Sequence, residues 1–185
     1  MKRLVIGISG ASGVGLGLKL IRSLPKEIEK YIIVSEHAEV VFEKEENQFI
    51  LDDANIGAIT ASGSFKNDGM LIVPCSMNTL AKIAHGIADN LLTRTASVML
   101  KEKRPLLLAP REMPFSPIAL ENMHKLSMIG VHIAPPVLGY YANINSLEAM
   151  EDFLIGKWFD LLALNTPYLN DGRVYENDCD LPRNV

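Results

Sequence analysis

The chain has 185 residues, 48% hydrophobic and 22% charged, with net charge -4 and pI about 5.6, which suits one α/β domain with a full core. No basic stripe with interleaved aromatics points to nucleic acid, and no run of eighteen apolar residues points to a membrane span. Two cysteines, Cys75 and Cys179, are too few for a disulfide framework, and the run after Met1-Lys2-Arg3 breaks at Gly7 instead of reading as a signal peptide, so a reducing cytoplasm is the expected location.

Strand and helix patterns alternate along the chain. Residues 3–8 predict a strand and 13–24 a helix that ends before Pro25. Tyr31-Ile32-Ile33-Val34 predicts a second strand, followed by a helix over 36–46; residues 49–68 read as irregular. A strand at 70–73 leads to helices at 77–86 and 90–102, with a turn at Gly86 between them. A strand at 105–109, a helix at 116–128 and a last strand, Val131-His132-Ile133-Ala134, follow. A long helix over 146–164 starts at an N-cap, Ser146, with Glu148 soon after. This order predicts a doubly wound, mostly parallel sheet in one domain over 1–165. The tail from 166 to 185, with Pro167 and Pro182, is expected to wrap a surface or a neighbouring subunit.

Three of these strands aim polar loops at one rim. Leu106-Leu107-Leu108-Ala109 ends in Pro110-Arg111-Glu112, a pair able to grip an anion and move a proton. Met70-Leu71-Ile72-Val73 ends in Pro74-Cys75-Ser76-Met77-Asn78-Thr79, and Leu4-Val5-Ile6 in Gly7-Ile8-Ser9-Gly10-Ala11-Ser12-Gly13. The glycine loop suits a phosphate at a helix N-terminus, but its spacing is neither G-x-G-x-x-G nor a P-loop, and a plain tight turn is the alternative. Ser76 or Asn78 reads equally as an N-cap, and Cys75 as a packed small side chain. Arg94 and Lys101 share one helix face two turns apart, either as an anion grip or as a solvated charged face. Glu45, in Glu43-Lys44-Glu45-Glu46, taken alone resembles a solvated helix end. Tyr140-Tyr141 reads as a loop pair, and His37, His85, His124 and His132 lack metal-ligand spacing, so no metal is expected. Lys157 shares a predicted face with Phe153, as a phosphate ligand or as a surface lysine lying over Trp158.

Taken together, these segments resemble the flavin prenyltransferases of the UbiX family, from Gly7 to about Asp160. The resemblance rests on Gly10-Ala11-Ser12-Gly13, Cys75-Ser76 with Thr79, Gly86 with Asp89-Asn90-Leu91 and Arg94, Leu100-Lys101-Glu102, Arg104-Pro105-Leu106, Pro110-Arg111-Glu112 with Pro114-Phe115, and Leu120-Glu121-Asn122-Met123. It implies a flavodoxin-like or Rossmann-like sheet, FMN as prenyl acceptor, a homododecamer with sites between subunits, and prenylated FMN delivered to a UbiD-type decarboxylase. It places Gly10, Ala11, Ser12, Ser35, Ser76, Met77, Asn78, Thr79 and Arg111 against FMN. It places Arg94, Lys101, Glu112, Tyr141 and Lys157 at the phosphate of dimethylallyl phosphate. Glu45, Glu112 and Ser12 are the implied catalytic groups. The chain departs from the family at Lys157, where many members have arginine, and at Asn78. A flavin-dependent decarboxylase of a cysteine-containing substrate and a non-catalytic flavin carrier are the alternatives. Against the first, Pro110-Arg111-Glu112-Met113 stands where a Pro-x-Met-Asn motif would fall. Against the second, FMN storage needs no second phosphate pocket.

Overall fold

The apolar runs pair side by side as parallel strands, which no two-residue hairpin could join. The structure, a computed structural model, describes residues 2–10, 12–35, 46–140, 144 and 146–164. They fall in two compact units, Met1–Pro136 and Val137–Val185. The first unit holds strands β1 (Arg3–Ile8), β2 (Glu29–Val34), β3 (Gln48–Asp52), β4 (Gly69–Cys75), β5 (Leu106–Pro110) and β6 (His132–Ile133). It also holds helices α1 (Val14–Ser23), α2 (Met77–Ala84), α3 (Leu91–Lys101) and α4 (Pro117–Ser127); α5 (Leu147–Leu161) belongs to the second unit. The six strands form one sheet in the order β3-β2-β1-β4-β5-β6, every pairing parallel. This is the doubly wound order that reverses direction between β1 and β4.

Strand period sorts the core into two faces. Val5, Tyr31, Ile33, Met70, Ile72, Leu106 and Leu108 join one cluster with Leu80 and Ile83 of α2, Leu92, Ala96 and Met99 of α3, and Met123 and Leu126 of α4. Each fully buried aliphatic side chain contributes about 1.5–3 kcal/mol. Leu4, Ile6, Ile32, Leu71 and Leu107 alternate with these and are also fully buried, as a parallel sheet covered on both faces requires. α1 approaches β4 closely enough that a Cβ on Gly17 would collide with the Val73 carbonyl. In the second unit the Ser146 hydroxyl accepts from Ala149 N at 3.1 Å, so the expected N-cap holds.

Several boundaries differ from the sequence reading. β4 runs from Gly69 through Pro74 and Cys75, past the end expected at Val73. β2 begins at Glu29, two residues early, because Glu29 and Lys30 continue the ladder with Arg3 and Leu4. β5 runs through Pro110, which pairs with Cys75 and lacks only a donor the sheet does not need there. Within 49–68, read as irregular, the edge strand β3 pairs with β2 alone and leaves Phe49 and Ile50 exposed. The helix expected over 36–46 lies outside the described residues except for Glu46, as does the tail from 165 onward.

Gly17→Ala tests the α1–β4 approach. Backbone cannot yield as a flexible side chain does, so the variant should lose about 1–3 kcal/mol in urea unfolding with an unchanged m-value. A variant as stable as the parent would show that α1 is not seated at this distance.

Candidate active site

The rim where the strand order reverses is tied together by one serine. Ser9, buried at the end of β1, donates its hydroxyl to Pro74 O at 3.1 Å and accepts from Ser76 N at 2.7 Å. β2 joins the rim through Gly10 N, which donates to Ser35 Oγ at 2.9 Å, while Ser35 N donates to Ile8 O. β5 joins through Arg111 N, which donates to Cys75 O at 3.3 Å. The three polar loops therefore do share one edge.

Beside this edge lies a cleft of about 510 Å³ lined by Gly10, Ser35, Asp53, Ala54, Ser76, Asn78, Thr79, Lys82, Asp89 and Asn90. Its walls are polar because two helices begin there. Ser76 caps α2, its hydroxyl accepting from Thr79 N at 3.2 Å and donating to Thr79 Oγ1 at 3.0 Å. Asn90 caps α3 in a capping box with Thr93. Buried Asp53 reinforces that cap: its carboxylate accepts from Leu92 N and from Asn90 Nδ2, both at 2.8 Å. Lys82 pairs with Asp89 at 2.7 Å, and that hydrogen bond holds the Asp89 carboxyl below its usual range.

α1 differs from α2 and α3. Its N-cap is Gly13, in the left-handed region at φ 105°, and no side chain caps its first turn. A glycine turn opening a helix without a side-chain acceptor leaves backbone amides for an outside anion, whereas α2 and α3 already hold their own caps. Serine and threonine hydroxyls, two asparagine amides and the Lys82 ammonium are the donors of the cleft wall, beside the engaged carboxylates of Asp53 and Asp89. This donor set fits a phosphorylated polyol such as the ribityl phosphate of FMN. Among the described residues no group of three or more His, Cys, Asp and Glu could hold a metal ion.

Of the residues singled out from sequence, the cleft gathers Gly10, Ser35, Ser76, Asn78 and Thr79. Ser12 is exposed in the turn before α1, and Met77 opens α2. Arg111 and Glu112 stand exposed past β5, the Glu112 carboxylate accepting from Met113 N at 3.0 Å. Arg94 is exposed on the first turn of α3. Lys101 is the last residue of the same helix, which runs from the cleft to the edge where the strands begin. Eleven residues of helix span about 16 Å, so Lys101 lies beyond reach of its own chain's cleft. Lys157 is exposed on α5, in the second unit. Ala11, Glu45 and Tyr141 lie outside the described residues.

Sequence reasoning missed Ser9, Asp53 and Lys82. Asp52 and Asn55 form Asx turns onto Ala54 N and Gly57 N. The role of Asp53 as a remote cap of α3 had no local signature.

Cys75 is fully buried, and desolvation pushes its thiol up to about 12. It is a packed side chain and no nucleophile. Iodoacetamide at pH 8 should leave the Cys75 peptide unmodified in the native protein and label it only in denaturant. Rapid native labelling at that peptide would contradict this burial.

The family model described as Flavoprotein matches residues 1–158. The flavin prenyltransferase UbiX of Helicobacter pylori (strain ATCC 700392 / 26695) is 50% identical over 175 residues, covering 88% of this chain and 94% of that relative. The crystal structure of AnUbiX (PadA1) in complex with FMN and dimethylallyl pyrophosphate superposes with TM-score 0.85 at 36% identity, covering 95% of this chain and 99% of that one. A dodecameric FMN-dependent UbiX-like decarboxylase from Escherichia coli O157:H7 superposes with TM-score 0.84 at 36% identity, covering 91% and 97%.

Proposed function

The chain belongs to the flavoprotein family and, within it, to the UbiX flavin prenyltransferases; on that premise we propose that it joins a dimethylallyl group from dimethylallyl phosphate to reduced FMN. The observation that carries the reading is the polar cleft at the β1–β4 reversal, with one uncapped helix N-terminus beside it. The product is prenylated FMN for a UbiD-type decarboxylase, made in a reducing cytoplasm.

In this reading the FMN phosphate sits beside Gly10 with Ser12 and Ser35, and Ala11 is a further contact of the cofactor. Ser76, Met77, Asn78, Thr79 and Arg111 face the rest of the cofactor. When bound, reduced FMN supplies the electron-rich ring that accepts the allyl group. The chain's own work is to hold the leaving phosphate and to move protons. Arg94, Lys101 and Lys157, with Tyr141, grip the phosphate, so that negative charge developing as the allylic C–O bond breaks is met by fixed cations. Glu45, Glu112 and Ser12 handle proton transfer during ring closure, with the released phosphate as a further acceptor.

The position of Lys101 supports an oligomer. A site that uses both the cleft and Lys101 takes the lysine from another copy of the chain. Met113, Ile118, Leu120 and Met128 are exposed apolar side chains around α4 that a neighbouring copy would cover. The homododecamer of the family fits both observations.

The direct test is anaerobic incubation with reduced FMN and dimethylallyl phosphate, then mass measurement of the extracted flavin. Addition of one five-carbon unit is expected; flavin recovered unchanged would overturn the proposal. Glu45→Gln should still bind FMN yet slow or stall formation of the closed fourth ring, and normal turnover to normal product would remove Glu45 from the mechanism.

Lys157→Ala should weaken use of dimethylallyl phosphate by about 1.5–3 kcal/mol and leave FMN affinity alone, while Lys157→Arg keeps activity. Unchanged prenyl-donor kinetics in the alanine variant would assign Lys157 to the surface.

A further inference from the structure

The far end of α3 holds a second set of contacts that the cleft does not explain. Arg104, whose side chain is only 11% exposed, donates from Nη1 to Phe65 O at 2.7 Å and from Nη2 to Gly63 O at 2.6 Å. One guanidinium thus pins two carbonyls of the 62–65 loop against the helix end. Glu102 lies beside it, with one carboxylate oxygen 3.2 Å from Lys101 Nζ and the other 4.0 Å from Arg104 Nη2. The remaining wall is Gly63. A Cβ there would collide with Glu102 Oε1 and come within 3.2 Å of Lys101 Nζ. Gly63 is not among the glycines with positive φ, so its backbone conformation suits any residue. What excludes a side chain at this position is the space taken by the two head groups.

We infer that the 62–65 loop is a positioning shelf for Lys101: Arg104 fixes the loop, Gly63 leaves room, and Glu102 steers the ammonium laid against it. The inference rests on the reading that Lys101 binds the prenyl phosphate. Lysine offers a point charge on four rotatable carbons, and an unguided ammonium loses entropy when it meets its ligand. The shelf removes part of that loss before the substrate arrives. Lys101 stays 65% exposed, so the held ammonium still faces outward to the phosphate of another copy's site. Gly63, Glu102 and Arg104 touch no substrate in this account; they act through Lys101.

The test uses the full chain with reduced FMN under anaerobic conditions and three variants. Gly63→Ala displaces the two head groups without altering any charge. Arg104→Lys keeps the charge but loses the fork that reaches both carbonyls. Lys101→Ala removes the phosphate ligand itself. Gly63→Ala and Arg104→Lys should each raise KM for dimethylallyl phosphate about tenfold, the lower range for disturbing a hydrogen bond to a charged group, with kcat and the FMN Kd unchanged. Lys101→Ala should raise KM at least as far. If Lys101→Ala raises KM and the other two do not, the shelf is refuted and the reading of Lys101 stands. If Lys101→Ala leaves KM unchanged, that reading fails and the shelf with it. If Gly63→Ala and Arg104→Lys weaken FMN binding together with the prenyl donor, the loop has a general structural role and the positioning inference is overturned.

Discussion

The site depends on how β1 is fastened to β4. A doubly wound sheet reverses its strand order at one pair, and there the connecting chains leave in opposite directions and open a crevice. An open crevice needs its two walls held at fixed separation. The β1–β4 ladder does this along the strands, and at their ends the buried Ser9 hydroxyl donates to Pro74 O and accepts from Ser76 N. Loss of that hydroxyl would leave the Ser76 amide without its acceptor, a cost on the order of 1–3 kcal/mol at the floor of the cleft. This contact adds to the β1–β4 ladder and to the Ser9 N to Pro74 O bond, and ties the N-cap of α2 to the end of β1.

Electrostatic division of labour follows from how the three helix N-termini at this rim are capped. α2 and α3 satisfy their own first turns, through Ser76 and through Asn90 backed by the Asp53 carboxylate. α1 starts at a glycine and lacks such a cap. An anion gains most at the uncapped end. In the proposed function the phosphate lies beside Gly10 and Ser35, and hydroxyl and amide groups line the rest of the cleft. The same sheet puts Lys101 at its other edge, away from this cleft.

Much of this was legible in the residues. β1, β4 and β5 are apolar runs bounded by glycine or proline, and a buried parallel strand carries that signature whatever its neighbours do. Ser146 before α5 and Ser76 before α2 act as caps through local contacts, so local sequence suffices to place them. β3 was not legible: its five residues include Phe49 and Ile50, both exposed, and it pairs on one side only, so neither alternation nor a continuous buried run marks it. Ser9, Asp53 and Lys82 were missed for a different reason. Their partners lie 65, 39 and 7 residues away, and only the sheet register brings the first two together. The separation of Arg94 from Lys101 was visible as helical spacing, but not that α3 points one of them away from the cleft.

The central claim is that the β1–β4 cleft recognises a flavin through its phosphate at the uncapped start of α1. Titration of the protein with FMN and with riboflavin, which differ only in that phosphate, measures this directly. The account predicts that FMN binds at least about tenfold tighter than riboflavin, since a phosphate on backbone amides makes charge-assisted hydrogen bonds. Equal affinity for the two would contradict it.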